Sequence, residues 1–195
     1  MIQHNEPMSA MAAIQSRRSV RSYVGQSLDR LTVTKLISAA VRAPTAVHRE
    51  AWAFVVVQDP ATLKHLSDKA KPLFAHEAQR THLDHGGHGL DIFASPDFNI
   101  FYNAGTLIVI CGPSGEHFSV ADCWLAAGNL MIAACASGLG TCVIGSSVAA
   151  LNLPDVKAEL GIPAALSAIA PIIVGVPSGE TPPTSRKEPR ILAWK

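Results

Sequence analysis

Apolar positions along the chain follow two periods, and each marks elements. Met11 and Ile14 share one face of a first helix, residues 10–16, which Ser9 can cap. Over residues 29–42, Leu31, Val33, Leu36, Ile37, Ala40 and Val41 give a second helix its apolar face, and Pro44 ends it. Residues 53–58 form a β-branched run bounded by Asp59-Pro60, the pattern of a buried strand. Asp59 then caps a helix with Pro60 at its first position and Leu63, Leu66 and Ala70 along it. From Lys71 to Asp97 the periodicity fails, so a loop or lid is expected. Residues 106–111 predict a second strand, 112–115 a turn, 148–151 and 154–160 short helices, and 166–176 a last strand. Beyond it runs an extended tail with a basic stretch around Arg186 and an apolar end, Ile191 to Trp194.

The stretch from Val120 to Ile144 organises the rest. After the polar Ala121-Asp122 it is apolar or small as far as Ala136, and Ser137-Gly138 is a helix stop. A helix apolar on every side must be covered on every side. Asp122, Gly128 and Asn129 interrupt the run, and no Lys/Arg cluster flanks it, so a membrane span is disfavoured. Ala126, Ala127, Gly128, Ala133 and Ala134 allow close helix contact, and a chain this small surrounds one helix most readily with a partner chain.

Composition sharpens this. The 195 residues fit a single domain, 1–195; 48% are hydrophobic and only 16% charged, as for a surface partly covered by another subunit. A net charge of +1 gives no bulk attraction for nucleic acid or an anionic membrane. Cys111, Cys123, Cys135 and Cys142 form no C-x-x-C pair and sit in apolar segments, which favours reduced thiols in the cytoplasm. The first residues carry no signal-peptide pattern.

Two clusters bear chemistry. Arg17, Arg18, Ser19 and Arg21 follow the first helix; guanidinium forks and a hydroxyl suit phosphate oxygens, and the same residues also read as a solvated basic turn. His82, His85 and His88 have ligand-like spacing, but the glycines around them favour a mobile loop over a metal site. There is no Walker A motif, G-x-G-x-x-G fingerprint or G-x-S-x-G elbow.

Taken together, Arg17–Tyr23, Ala43–Ala46 with Trp52–Val56, Gly138–Gly145, Pro171–Pro177 and the Arg186-Lys187 tail resemble, in order and spacing, the nitroreductase family of FMN-dependent oxidoreductases. The resemblance implies an α+β fold: a mostly antiparallel sheet flanked by helices, in an intertwined homodimer with a buried central helix and two FMN molecules at its interface. It implies that Arg17, Arg18, Ser19 and Arg21 meet the FMN phosphate and ribityl chain, with Arg186 and Lys187 returning to the phosphate. Pro44, Thr45, Ala46 and His48 would come from the other subunit. Val143, Ile144 and Gly145 would line the flavin ring, and Asn99 would meet its pyrimidine edge. The implied reaction is ping-pong hydride transfer from NAD(P)H through flavin N5 to a nitroaromatic, a quinone or a similar acceptor, with no catalytic acid or base in the protein. Alternatives are FMN fragmentation, reductive dehalogenation, or a non-catalytic flavin- or metal-binding module. The family often reads N-x-Q-P-W where this chain has His48-Arg49-Glu50-Ala51-Trp52, a departure on the substrate-facing side.

Overall fold

The computed structural model describes residues 8–81 and 91–195. Three N-caps begin helices where the sequence places them. Ser9 Oγ accepts from the Ala12 N–H at the start of α1 (Ala10–Ser16). Asp29 takes the N–H and hydroxyl of Thr32 to open α2 (Arg30–Ala40), and Asp59 does the same with Thr62 to open α3 (Pro60–Thr81). The remaining helices are α4 (Asp91–Ala94), α5 (His117–Ala136), α6 (Val148–Leu151) and α7 (Pro154–Glu159). Gly138 ends α5 at φ +74°, the left-handed stop expected of it.

Four strands, β1 (Ala53–Val57), β2 (Thr106–Pro113), β3 (Gly140–Val143) and β4 (Leu166–Gly175), form an antiparallel sheet in the order β1-β2-β4-β3. Alternate residues face opposite layers. Leu107, Val109, Cys111 and Ile173 join Leu63, Leu66, Leu151 and Val156 beneath α3, α6 and α7. Ile108, Ile110, Ile172 and Val174 join Val33, Leu36, Ala126 and Leu130 beneath α2 and α5. A bulge between Ile110 and Cys111 lets Ile169 and Ala170 both face the second layer.

Two departures from the sequence reading concern this frame. Residues 71–81, read as loop, continue α3 through Pro72, and 91–94 form α4. β2 runs on through Gly112-Pro113, so only Ser114-Gly115 turn. His82, His85 and His88 lie outside the described residues.

α5 starts a turn earlier than the sequence shows, which sets Asp122 inside the helix. One face packs on the sheet and α2. Another presents Phe118, Val120, Trp124 and Leu125, which are 42–69% exposed, so one chain leaves the central helix half covered. Among the described residues it is the one helix long and apolar enough to cross a membrane. Asp122, buried within it, is bonded to the protein's own backbone.

Candidate functional site

The arginine segment lies along the outer edge of β3. Ser19 bridges to Thr141, and the Val20 N–H donates to the Thr141 carbonyl at 3.0 Å. The Tyr23 hydroxyl donates to the Val20 carbonyl at 2.8 Å, and Tyr23 bridges to Pro177. The close approach needs a glycine opposite: a Cβ on Gly140 would stand 2.7–2.9 Å from Val20. Burial pushes the Tyr23 hydroxyl up from its usual range, with Cys142 adding to the effect and Arg21 opposing it.

Cys142, the third residue of β3, lies beneath this segment. Burial raises its thiol above the usual range, while Arg21, a hydrogen bond from Ser19 and Arg17 act in the opposite direction. Arg17, Ser19 and Arg21, alternate residues of the extended segment, lie on its Cys142 side. Arg17 and Arg18 line a cavity of about 280 Å³ with Cys135, Gly138 and Leu139. The Arg18 guanidinium is partly committed, donating to the carbonyls of Gln15 at 2.7 Å and Arg17 at 3.0 Å.

Arg21 borders two further cavities. With Val143, Ile144 and Gly145 it lines a cavity of about 170 Å³, and with Asn99 and Tyr23 one of about 250 Å³. Its guanidinium sits 6.0 Å from the centre of the Tyr102 ring, which stacks edge-on with Phe98. Gly145 faces open space and begins a 3-10 turn, Gly145–Ser147, whose first N–H groups lack acceptors within the turn. Asn99 Oδ1 accepts from the Phe101 N–H at 2.9 Å. Sequence reasoning missed the clamp on this wall: the nearly buried Lys71 donates to the carbonyls of Ser95, Pro96 and Phe98, and Ser67 Oγ accepts from the Ile100 N–H. A lysine among apolar residues of an expected loop gave no signal for it.

Pro44, Thr45, Ala46 and His48 stand elsewhere in the chain. The Ala46 N–H donates to both carboxylate oxygens of Asp122, at 3.1 and 3.3 Å, near the start of α5. The arginine cavity opens beside Cys135 near its end. At 1.5 Å per residue the two are about 20 Å apart along the helix. His48 pairs with Glu50 at 3.7 Å in solvent, while Arg49 forks onto Glu116. Arg186 and Lys187 lie exposed on the tail; Arg186 donates to the neighbouring Ser185 carbonyl. Among the described residues no three His, Cys, Asp or Glu side chains are grouped to hold a metal.

The structure is an antiparallel sheet between two helical layers, with the arginine segment along one edge. Residues 14–176 match the Nitroreductase family, and the chain belongs to it. It is 26% identical over 172 residues, 86% of this chain and 84% of the other, to an Archaeoglobus fulgidus protein provisionally named NADH dehydrogenase/NAD(P)H nitroreductase. In fold it resembles a nitroreductase with bound FMN from Bacteroides fragilis: TM-score 0.81, 23% identity, 96% of this chain and 99% of that one covered. An iodotyrosine deiodinase bound to FMN and 3-iodo-L-tyrosine also shares the fold: TM-score 0.69, 19% identity, coverage 94% and 97%.

Proposed function

We propose that the chain is an FMN-dependent NAD(P)H oxidoreductase that works as a cytoplasmic homodimer. The observation that carries this is the basic segment Arg17–Arg21 pinned along the β3 edge, with Arg21 on the same cavity as Val143, Ile144 and Gly145. An extended run from Arg17 to Arg21 spans about 13 Å. That suits a cofactor with a phosphate at one end and a flat ring at the other. Arg17 and Ser19 would take the phosphate, with Arg18 beside them. Arg21 and Asn99 would hold the ring's polar edge, and the N–H groups at the start of the Gly145–Ser147 turn its middle. FMN held by these residues would supply the redox chemistry, hydride transfer from NAD(P)H to a quinone, a nitroaromatic or a similar acceptor.

The protein's part is to bind, orient and exclude water, and no side chain is assigned as acid or base. The second half of the site is the Pro44–His48 loop of a partner. One chain cannot bring it to its own arginines, because α5 holds the two apart. Two chains packed antiparallel along the exposed face of α5 would bring the start of one helix to the end of the other. The exposed Arg186 and Lys187 could then reach the phosphate after the tail docks.

The test starts with the visible spectrum of the purified protein. Flavin bands that stay with the protein through gel filtration at the dimer volume, and NADH or NADPH oxidation on adding a quinone, are expected. A colourless protein that takes up no added FMN overturns the reading. Reductive dehalogenation uses the same cofactor; mass spectrometry of products from a halogenated phenol separates it from acceptor reduction.

A further inference from the structure

The segment that the proposed dimer lends to its partner is strained. Val47, His48 and Glu50 all adopt left-handed backbone, at φ 46°, 56° and 48°, and none is glycine. For a β-branched residue such as Val47 this region is especially costly, and it persists only where the surroundings impose it. The loop's own bonds are weak: the His48 N–H reaches the Thr45 carbonyl at 3.4 Å and the Arg49 N–H the Ala46 carbonyl at 3.2 Å. Two ties from the start of α5, its N-cap Glu116 and its buried Asp122, flank Val47-His48. Before them, Asp122 receives the Ala46 N–H on both oxygens. After them, Glu116 receives the Arg49 fork at 2.7 and 3.2 Å, and the Ser119 hydroxyl at 3.1 Å. Between these points Val47 is 88% exposed and the His48 side chain 90%.

We infer that Asp122 is a positioning residue, whose buried carboxylate fixes Ala46 and with it the loop that completes the partner's site, Arg49–Glu116 being the second tie. This rests on the function proposed above. A carboxylate only 7% exposed that, among the described residues, takes a single N–H is a costly way to satisfy that donor alone. It makes sense where the donor's position matters. Asp122 also lines a 370 Å³ cavity with Ala46, Val47 and Phe118, so beside the carboxylate the loop borders open space.

The experiment compares full-length wild type, Asp122→Ala, Asp122→Asn and Arg49→Ala by fluorescence titration with FMN, by steady-state kinetics with a quinone, and by gel filtration. Asp122→Ala, which orphans a donor, is expected to raise the FMN Kd and the quinone KM about tenfold. Its kcat at saturation should stay within about twofold, since the reacting groups are untouched. Asp122→Asn keeps an acceptor oxygen and should restore both values to within about threefold of wild type. Arg49→Ala, which loses an exposed tie, should shift the same two values about threefold. A folded, dimeric Asp122→Ala with wild-type Kd and KM overturns the inference, as does an Asp122→Asn no better than the alanine. If Asp122→Ala fails to fold, an unchanged Arg49→Ala overturns it and a shifted one supports it. Wild type that binds no FMN removes the underlying reading instead, before any variant is compared.

Discussion

Gly140 and Gly145 sit five residues apart on the same wall, and adding a methyl group to each should have opposite consequences. At Gly140 the new Cβ would lie 2.7, 2.8 and 2.9 Å from Cγ2, Cβ and Cγ1 of Val20. Rotating the valine moves its methyls but not its Cβ, so the backbone from Ser19 to Tyr23 must shift. It is held by the Val20–Thr141 bond and by the Tyr23 hydroxyl on Val20. Overpacking of this kind costs about 1–3 kcal/mol. At about 2–4 °C per kcal/mol for a domain of this size, Gly140→Ala should melt about 2–12 °C below wild type. At Gly145 a Cβ meets nothing within 4 Å, so Gly145→Ala should melt with wild type, yet it places a methyl group in the groove assigned to the flavin ring. Both variants should bind FMN more weakly, one because its arginines have moved and the other because its wall is blocked. Thermal melts followed by circular dichroism and FMN fluorescence titration read the two quantities separately. An unchanged melting temperature for Gly140→Ala would refute the packing argument. Wild-type FMN affinity in a destabilised Gly140→Ala would refute the cradle.

Arg17→Ala should weaken FMN binding by about 1.5–3 kcal/mol, the scale of a hydrogen bond to a charged group, and titration showing full affinity would remove Arg17 from the phosphate site. Leu125→Glu puts a charge on the uncovered face of α5 and should turn a dimer into a monomer on gel filtration, with helical content retained by circular dichroism. The caps Asp29 and Asp59 bond to Thr32 and Thr62, which holds both carboxylates below their usual value of 3.8. Their stabilisation is therefore present above that value and is lost as pH falls through the lower folded values. Asp59→Ala should be less stable than wild type at neutral pH, and the gap should close in strongly acidic solution; a pH-independent gap in denaturation midpoints would contradict this.

Much of the frame was legible because local chemistry and tertiary packing agree in it. Ser9 and Asp59 announce their helices as caps, Gly138 ends its helix at positive φ, and the β-branched runs of β2 and β4 become buried strands. β1, by contrast, read as buried, is an edge strand in which only Val57 is buried and Val56 is exposed. The sequence misled where a local breaker is overridden. Pro72 sits inside α3, and Gly112-Pro113 continue β2, which pairs there with Leu166 and Ser167. Asp122 looked like a polar helix start because its partner, the Ala46 backbone, carries no signature. The arginine cluster was visible as chemistry, but nothing local in the sequence says that Cys142 and the Val143–Gly145 wall lie against it, since that depends on residues 17–23 edging β3. Arg186 and Lys187, exposed in the single chain, would need a second chain to find a role.

In the proposed function α5 separates the two halves of a site at its opposite ends, and this has a genetic corollary. In the proposed dimer every chain keeps its arginine segment for one site and gives its loop to the other. Suppose one allele damages the arginines and a second damages the loop. A dimer of either product alone has two broken sites. In a mixed dimer both lesions fall in the same site, and the other site is assembled entirely from sound parts. Two null alleles would then complement each other within a single molecule, and the active site would be a property of the pair of chains, inherited whole by neither.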